Sequence, residues 1–156
     1  MMIVLGIDPG QSGALAIVAL NNGATPEFIA LLDVPMIGSG ARERVDVLQL
    51  RGWITDHRPQ HCLIERSQAM PKQGASSGFK YGRTCGSIEA AVVLSGVPWS
   101  LMEPTAWKKF HRLGRDKELA RQRAMQLLPA AHSFLSRKRD HNRAEALLIA
   151  LAGGRS

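Results

Sequence analysis

Three acids in this chain arrive in the same way, each at the edge of an apolar run. Ile3-Val4-Leu5-Gly6-Ile7 leads into Asp8 and a Pro9-Gly10 turn, Cys62-Leu63-Ile64 leads into Glu65, and Glu145 lies in the Ala- and Leu-rich stretch that opens at Asp140-His141-Asn142-Arg143. Asp8 is the only ionisable side chain before Glu27. Burying a carboxylate costs several kcal/mol unless a cation, a metal or hydrogen-bond donors compensate it. Asp8 is therefore a functional ligand or a turn-capping group, and Glu65 is its companion or an ordinary ion-pair partner of Arg66 or Arg83.

The third acid belongs to a helix. At about 100° per residue, Ala144, Leu147, Leu148 and Leu151 form the buried stripe, and His141 and Glu145 lie one turn apart at its edge. On the same wheel Asn142 turns further towards solvent, and Asp140 points away from Glu145, in the position of an N-cap. The chemical face is then His141 with Glu145, with Asp140 as a first-turn alternative. If the strands ending in Asp8 and Glu65 are neighbours, the three carboxylates and His141 make an oxygen-rich, nitrogen-assisted site. Hard oxygen donors suit Mg²⁺ or Mn²⁺. On a basic protein such a site points to phosphodiester hydrolysis by two ions about 3.5–4 Å apart, which activate water and stabilise the leaving oxygen.

Size and charge bound this reading. With 156 residues, 45% of them hydrophobic, the chain has material for one α/β domain over 1–156 and little room for a second. Its net charge is +7, and ten of the twenty Lys and Arg residues fall between Lys108 and Arg139, a stretch that also holds Trp107, Phe110 and His111. That clustering has the form of an electrostatic footprint for a polyanion, with Lys108, Lys109 and Arg115 among its contacts. Cys62 and Cys85 sit in a strand and a helix pattern, as small fillers of a reducing compartment and not as a disulfide or zinc pair. No run of about eighteen apolar residues is present, so no membrane span is expected. With no secretory leader pattern ahead of the first strand, a cytoplasmic bacterial or phage-encoded protein is expected, although a processed organelle protein would read the same.

The elements that must carry the site follow from periodicity and turn residues. Residues 2–7, 14–20 and 27–34 read as strands joined by short Gly- and Asn-containing turns, which makes an antiparallel meander. A Gly-rich loop leads to a helix over 42–56, then a strand at 61–65, a long helix at 77–94, a strand at 99–103, and helices at 117–128 and 141–152. Three strands followed by alternating helix and strand give a mixed five-stranded sheet with helices on its faces.

The Gly6-Ile7-Asp8-Pro9-Gly10 opening, the Ile64-Glu65 strand end and the helix Asp140-His141-Asn142-Arg143-Ala144-Glu145-Ala146-Leu147 together resemble the RuvC-type Holliday-junction resolvases of the RNase H-like superfamily, in its phage and chloroplast branch. The likeness extends through Glu103-Pro104-Thr105-Ala106-Trp107-Lys108 and Gly114-Arg115-Asp116-Lys117. It implies an RNase H-like α/β fold and a homodimeric, Mg²⁺-dependent endonuclease of DNA recombination and repair, making paired symmetric nicks in branched DNA. It also implies Asp8, Glu65 and Glu145 as metal ligands. The chain departs from the bacterial pattern at Asn142, where an acid or a His is usual. That shifts the fourth position to His141, as ligand or general base, or to Asp140. Lys117 falls where some relatives carry an active-site lysine, suited to the scissile phosphate. An RNase H-like ribonuclease acting on RNA·DNA hybrids and a non-catalytic nucleic-acid-binding module remain open alternatives.

The segment after Glu65 is the expected DNA-contacting region. Lys72, Gln73, Ser76, Ser77, Lys80 and Arg83 offer donors for phosphates, while Phe79 and Tyr81 suit stacking at a branch point. Gly74, Gly78, Gly82 and Gly86 recur every fourth residue, although each costs a helix about 1 kcal/mol relative to Ala. They mark either a smooth stripe for close helix packing at a dimer axis or a stretch whose backbone approaches DNA.

Overall fold

The computed structural model describes residues 1–155. Strands β1 (Met2–Asp8), β2 (Ala14–Leu20) and β3 (Glu27–Asp33) form the antiparallel meander. A two-stranded ribbon of β4 (Met36–Ile37) and β5 (Arg44–Val45) precedes α1 (Val47–His57). β6 (His61–Glu65), α2 (Ala75–Leu94), β7 (Trp99–Met102), α3 (Pro104–Phe110), α4 (Lys117–Leu127) and α5 (His141–Ala152) follow. The large sheet has the order β3-β2-β1-β6-β7, and β1 to β6 and β6 to β7 are parallel. This is the expected mixed sheet, and β1 is its centre. Among the described residues no helix is long and apolar enough to cross a membrane.

Strand alternation divides the core in two. Val4 and Leu63 pack with Trp107, Ala120, Leu128 and the apolar residues of α5 from Ala144 to Ala152 on one face. Leu5, Ile7, Cys62 and Ile64 pack with Leu50 and Ile54 of α1 and with Ile88 and Val92 of α2 on the other. Helix α5 approaches β1 so closely that a Cβ on Gly6 would stand 2.3 Å from the Ala146 carbonyl oxygen and 2.4 Å from the Ala150 nitrogen. Only glycine permits that approach, and it fixes the height of α5 against the sheet.

Several boundaries differ from the sequence reading, each for a local reason. Helix α1 begins at Val47 and not at 42, because the Asp46 carboxylate accepts from Gln49 N at 3.0 Å and caps it, while 42–45 are spent on a 3₁₀ turn and β5. Helix α2 starts two residues earlier, at Ala75. β7 stops at Met102 because Glu103 and Pro104 open α3, a helix the periodicity did not reveal in seven residues. Cys62 is buried and free, and burial pushes its thiol pKa well up; Cys85 is free and only half-buried, with the Ser67 hydroxyl donating to its sulfur.

Candidate active site

The parallel pairing of β1 with β6 brings the first two acids together. Ile7 stands opposite Ile64 in the register, so the next residues, Asp8 and Glu65, leave adjacent strands at the same level, about 4.8 Å apart by strand spacing. Alternation turns both towards the face covered by α5, since Val4 and Leu63 already pack there. Helix α5 supplies Glu145 one residue before its close contact with Gly6. All three carboxylates line one cavity of about 640 Å³, with Lys117 from the start of α4, Tyr81, Ser77, Lys80 and Gln73 from and before α2, and Gln11 and Ser12 from the β1–β2 loop. That loop is held by glycine as well, because a Cβ on Gly13 would fall 2.1 Å from the Asp8 carbonyl oxygen.

The electrostatics record the crowding of like charges. Burial above all, then the Glu145 and Glu65 carboxylates, hold the Asp8 pKa well above the usual carboxylate range, against the pull of Lys117 and Lys108. Burial also raises Glu65, opposed by its hydrogen bond from Trp107 and reinforced by Glu145. The Trp107 indole N–H donates to Glu65 Oε2 at 2.6 Å, and the Lys108 ammonium lies 5.3 Å from the ring centroid. Trp107 thus orients one oxygen of Glu65 and leaves the other to the cavity. Burial pushes the Tyr81 phenol up.

Helix α5 corrects the wheel at its first turn. Asn142 does not turn to solvent; it lines the carboxylate cavity, and its Nδ2 donates to Ser12 O at 2.6 Å because the β1–β2 loop folds over the helix start. His141 lies beside the cavity, its Nε2 3.4 Å from Lys117 Nζ and its Nδ1 3.4 Å from Lys138 O. Asp140 makes no side-chain cap on α5. It is buried, and its carboxylate folds back to accept from Arg137, at 2.9 Å from the backbone N and 2.7 Å from Nη2, so it is not a member of this cavity. Arg137 holds it below the ordinary carboxylate range.

The expected DNA-contacting residues divide. Gln73, Ser77, Lys80 and Tyr81 line the carboxylate cavity. Lys80 pairs with Glu43 at 3.4 Å, and Arg83 donates to Glu43 O at 2.9 Å, so both also tie α2 to the loop before α1. Phe79 is 72% exposed. Lys72, Ser76, Lys109 and Arg115 are exposed outside the cavity. Trp107, Gln11, Ser12 and Asn142 are contributors that sequence reasoning did not assign to the site. A buried-aromatic pattern next to Glu103-Pro104 was the available signal for Trp107; none existed for the loop pair.

Among the described residues no three His, Cys, Asp or Glu side chains stand close enough to hold an ion as they are oriented. The donor set itself fits a hard divalent cation. Three carboxylates from β1, β6 and α5 face one cavity, where Glu145 raises the proton affinity of Asp8 and of Glu65, and a cation among them relieves that repulsion.

No protein-family model matches this chain, and no curated protein matches its sequence. Solved structures do match its fold. Thermus thermophilus RuvC in complex with a Holliday junction substrate is 22% identical, with a TM-score of 0.70 over 97% of this chain and 92% of that one. The fowlpox virus Holliday junction resolvase is 17% identical, with a TM-score of 0.59 over 97% of this chain and 96% of that one. The yeast mitochondrial Holliday junction resolvase is 14% identical, with a TM-score of 0.60 over 96% and 77%. The chain therefore has the RuvC-type resolvase fold of the RNase H-like class.

Proposed function

We propose that this chain is a divalent-metal-dependent endonuclease that resolves four-way DNA junctions by paired symmetric nicks. The observation that carries the reading is the delivery of Asp8, Glu65 and Glu145 by three separate elements into one cavity, in the fold that RuvC uses on a Holliday junction substrate. Asp8, Glu65 and Glu145 would hold two Mg²⁺ or Mn²⁺ ions, which supply an activated water and stabilise the departing oxygen. The chain's own groups do the rest. Trp107 keeps Glu65 from swinging away. Lys117 is placed to hold a non-bridging oxygen of the scissile phosphate and to balance charge developing there. His141, beside Lys117, is the candidate to take a proton at its Nε2 or to complete a ligand set.

Selection of a junction over a duplex asks for two sites related by a two-fold axis. The outward side of α2 suits such an axis. Phe79, Gly82, Gly86, Ala90 and Val93 recur at helical spacing and are exposed, and Cβ atoms on Gly82 and Gly86 would meet nothing within 4 Å. Phe79, towards the end of α2 nearest the carboxylates, is suited to stack at the branch point, and Lys72, Ser76, Lys108, Lys109 and Arg115 are suited to phosphate contacts.

One preparation offered four-way junctions, RNA·DNA hybrids, flaps and linear duplexes with Mg²⁺ tests this directly. Junctions are expected to be cut first and in symmetric pairs by a homodimer. Faster cutting of hybrids would move the assignment to a ribonuclease, and binding without cutting would leave a nucleic-acid-binding module.

A further inference from the structure

Beside the carboxylate cavity lies a smaller one, of about 240 Å³, that the cutting reaction described above does not use. The two share Gln11, Ser12, Gly13 and Asn142 as common walls. The far wall of the small cavity carries Arg137, Arg139 and Arg143 with Asp33 and Asp140. Both carboxylates are already engaged. Asp33 receives Arg143 through Nε at 2.7 Å and Nη2 at 2.6 Å, and Asp140 receives Arg137. Arg139 is left exposed and without an ion pair among the described residues.

Gln11 provides the second observation. Its Nε2 is buried yet has no hydrogen-bond partner among the described residues. A buried donor left unmade costs about 1–3 kcal/mol, so such a group persists where an incoming acceptor satisfies it. An unpaired amide donor on the wall the two cavities share and an unpaired guanidinium on the far wall of the small one, beside a nuclease site, call for an anionic oxygen ligand. A phosphodiester meets both, because it is singly charged and presents several acceptor oxygens.

We propose that this cavity is a second phosphate subsite, which takes a backbone phosphodiester neighbouring the one to be cut, with Gln11 Nε2 and the Arg139 guanidinium as its donors. The inference rests on the nuclease reading and deepens it. Phosphate contacts fix the register of a strand without reading its bases. The subsite would therefore decide which linkage is presented to Asp8, Glu65 and Glu145.

The test is junction binding without divalent cation, over a salt series, by the wild type, Arg139→Gln and Gln11→Met. It is repeated with junctions that carry one uncharged methylphosphonate at successive positions around the cut. Arg139→Gln is expected to weaken binding about 5- to 10-fold at low salt and to lower the salt slope by about one. Gln11→Met is expected to weaken it about 3-fold with the slope unchanged. One methylphosphonate position should weaken the wild type and add nothing to the Arg139→Gln loss. Wild-type affinity and slope in both variants, or losses coupled to no methylphosphonate position, would overturn the subsite. Arg139 is exposed, so its variant is expected to melt as the wild type does. A wild type that binds through Arg139 but never cuts in Mg²⁺ would keep the subsite and remove the nuclease reading.

Discussion

Helices α5 and α2 cover opposite faces of one sheet and follow different rules. From Ala144 to Ala152 every residue of α5 is buried, because the sheet lies on one side and Trp107, Ala120, Ala124 and Leu128 close the other. Helix α2 buries only Thr84, Ile88, Ala91 and Val92 and presents glycines, Phe79 and Val93 to the outside. Helix α5 carries the Glu145 carboxylate at a height set by backbone contact with β1; α2 carries a surface. Precision of placement and availability for a partner are thus assigned to separate faces of the molecule.

The sharpest way to break this contrast is to put the same methyl group on each side. Gly6→Ala forces a Cβ against backbone atoms of α5 that cannot rotate away. It is expected to cost more than about 3 kcal/mol or to abolish folding, as measured by urea denaturation. A variant that unfolds at the wild-type midpoint would mean that α5 is not seated as closely as described.

Asp8→Asn probes the charge on the α5 face. On the proposed function, cutting is expected to fall by about 100-fold or more while junction binding persists, because the proposed metal ligand and not a DNA contact is removed. Stability should move the other way. The Asp8 pKa is raised in the folded state, so the folded chain holds this proton more tightly than the unfolded one. The contribution of Asp8 to wild-type stability is then greatest below the ordinary carboxylate range and is lost as pH rises towards the raised value. In metal-free buffer the variant should melt higher at neutral pH, with the gap closing on acidification. Mg²⁺ should narrow the gap by stabilising the wild type alone. Equal melting of the two proteins at every pH would remove the charge crowding from the account.

The opposite substitution on the other face has the smallest expected effect. Gly86→Ala meets open space, so α2 should gain about 1 kcal/mol from helix propensity alone. If the outward stripe is the two-fold contact, the same change weakens self-association, and sedimentation would register a more stable monomer. A dimer unaffected by Gly82→Ala and Gly86→Ala would move the axis elsewhere.

Much of the fold was legible because β1, β2 and β6 are short apolar runs ended by acids or tight turns, and period-2 patterns survive on paper. The three carboxylates were legible for the same reason, since a lone acid after a buried strand stands out. The pairing of β1 with β6, which unites Asp8 with Glu65, was only conditional, because strand order is a non-local property. Asn142 was misplaced by a wheel that knows nothing of neighbouring loops, since Ser12 O recruits it. Asp140 does stand at the N-cap position and away from Glu145, but Arg137 takes its carboxylate and leaves the cap unmade. Trp107 was read with the basic run around it, although its ring is buried and it is Lys108 and Lys109 beside it that reach the surface.

That buried ring gives the molecule an optical gauge. Trp107 is the fully buried one of the three tryptophans, and its indole nitrogen leans on a carboxylate whose charge state changes with whatever occupies the cleft. Emission from this fluorophore will respond when a proton or a cation arrives at Glu65, whereas Trp53 and Trp99, on the other side of the sheet, will not. Occupancy of the cleft can therefore be followed with light alone, on unlabelled protein and without DNA in the cuvette.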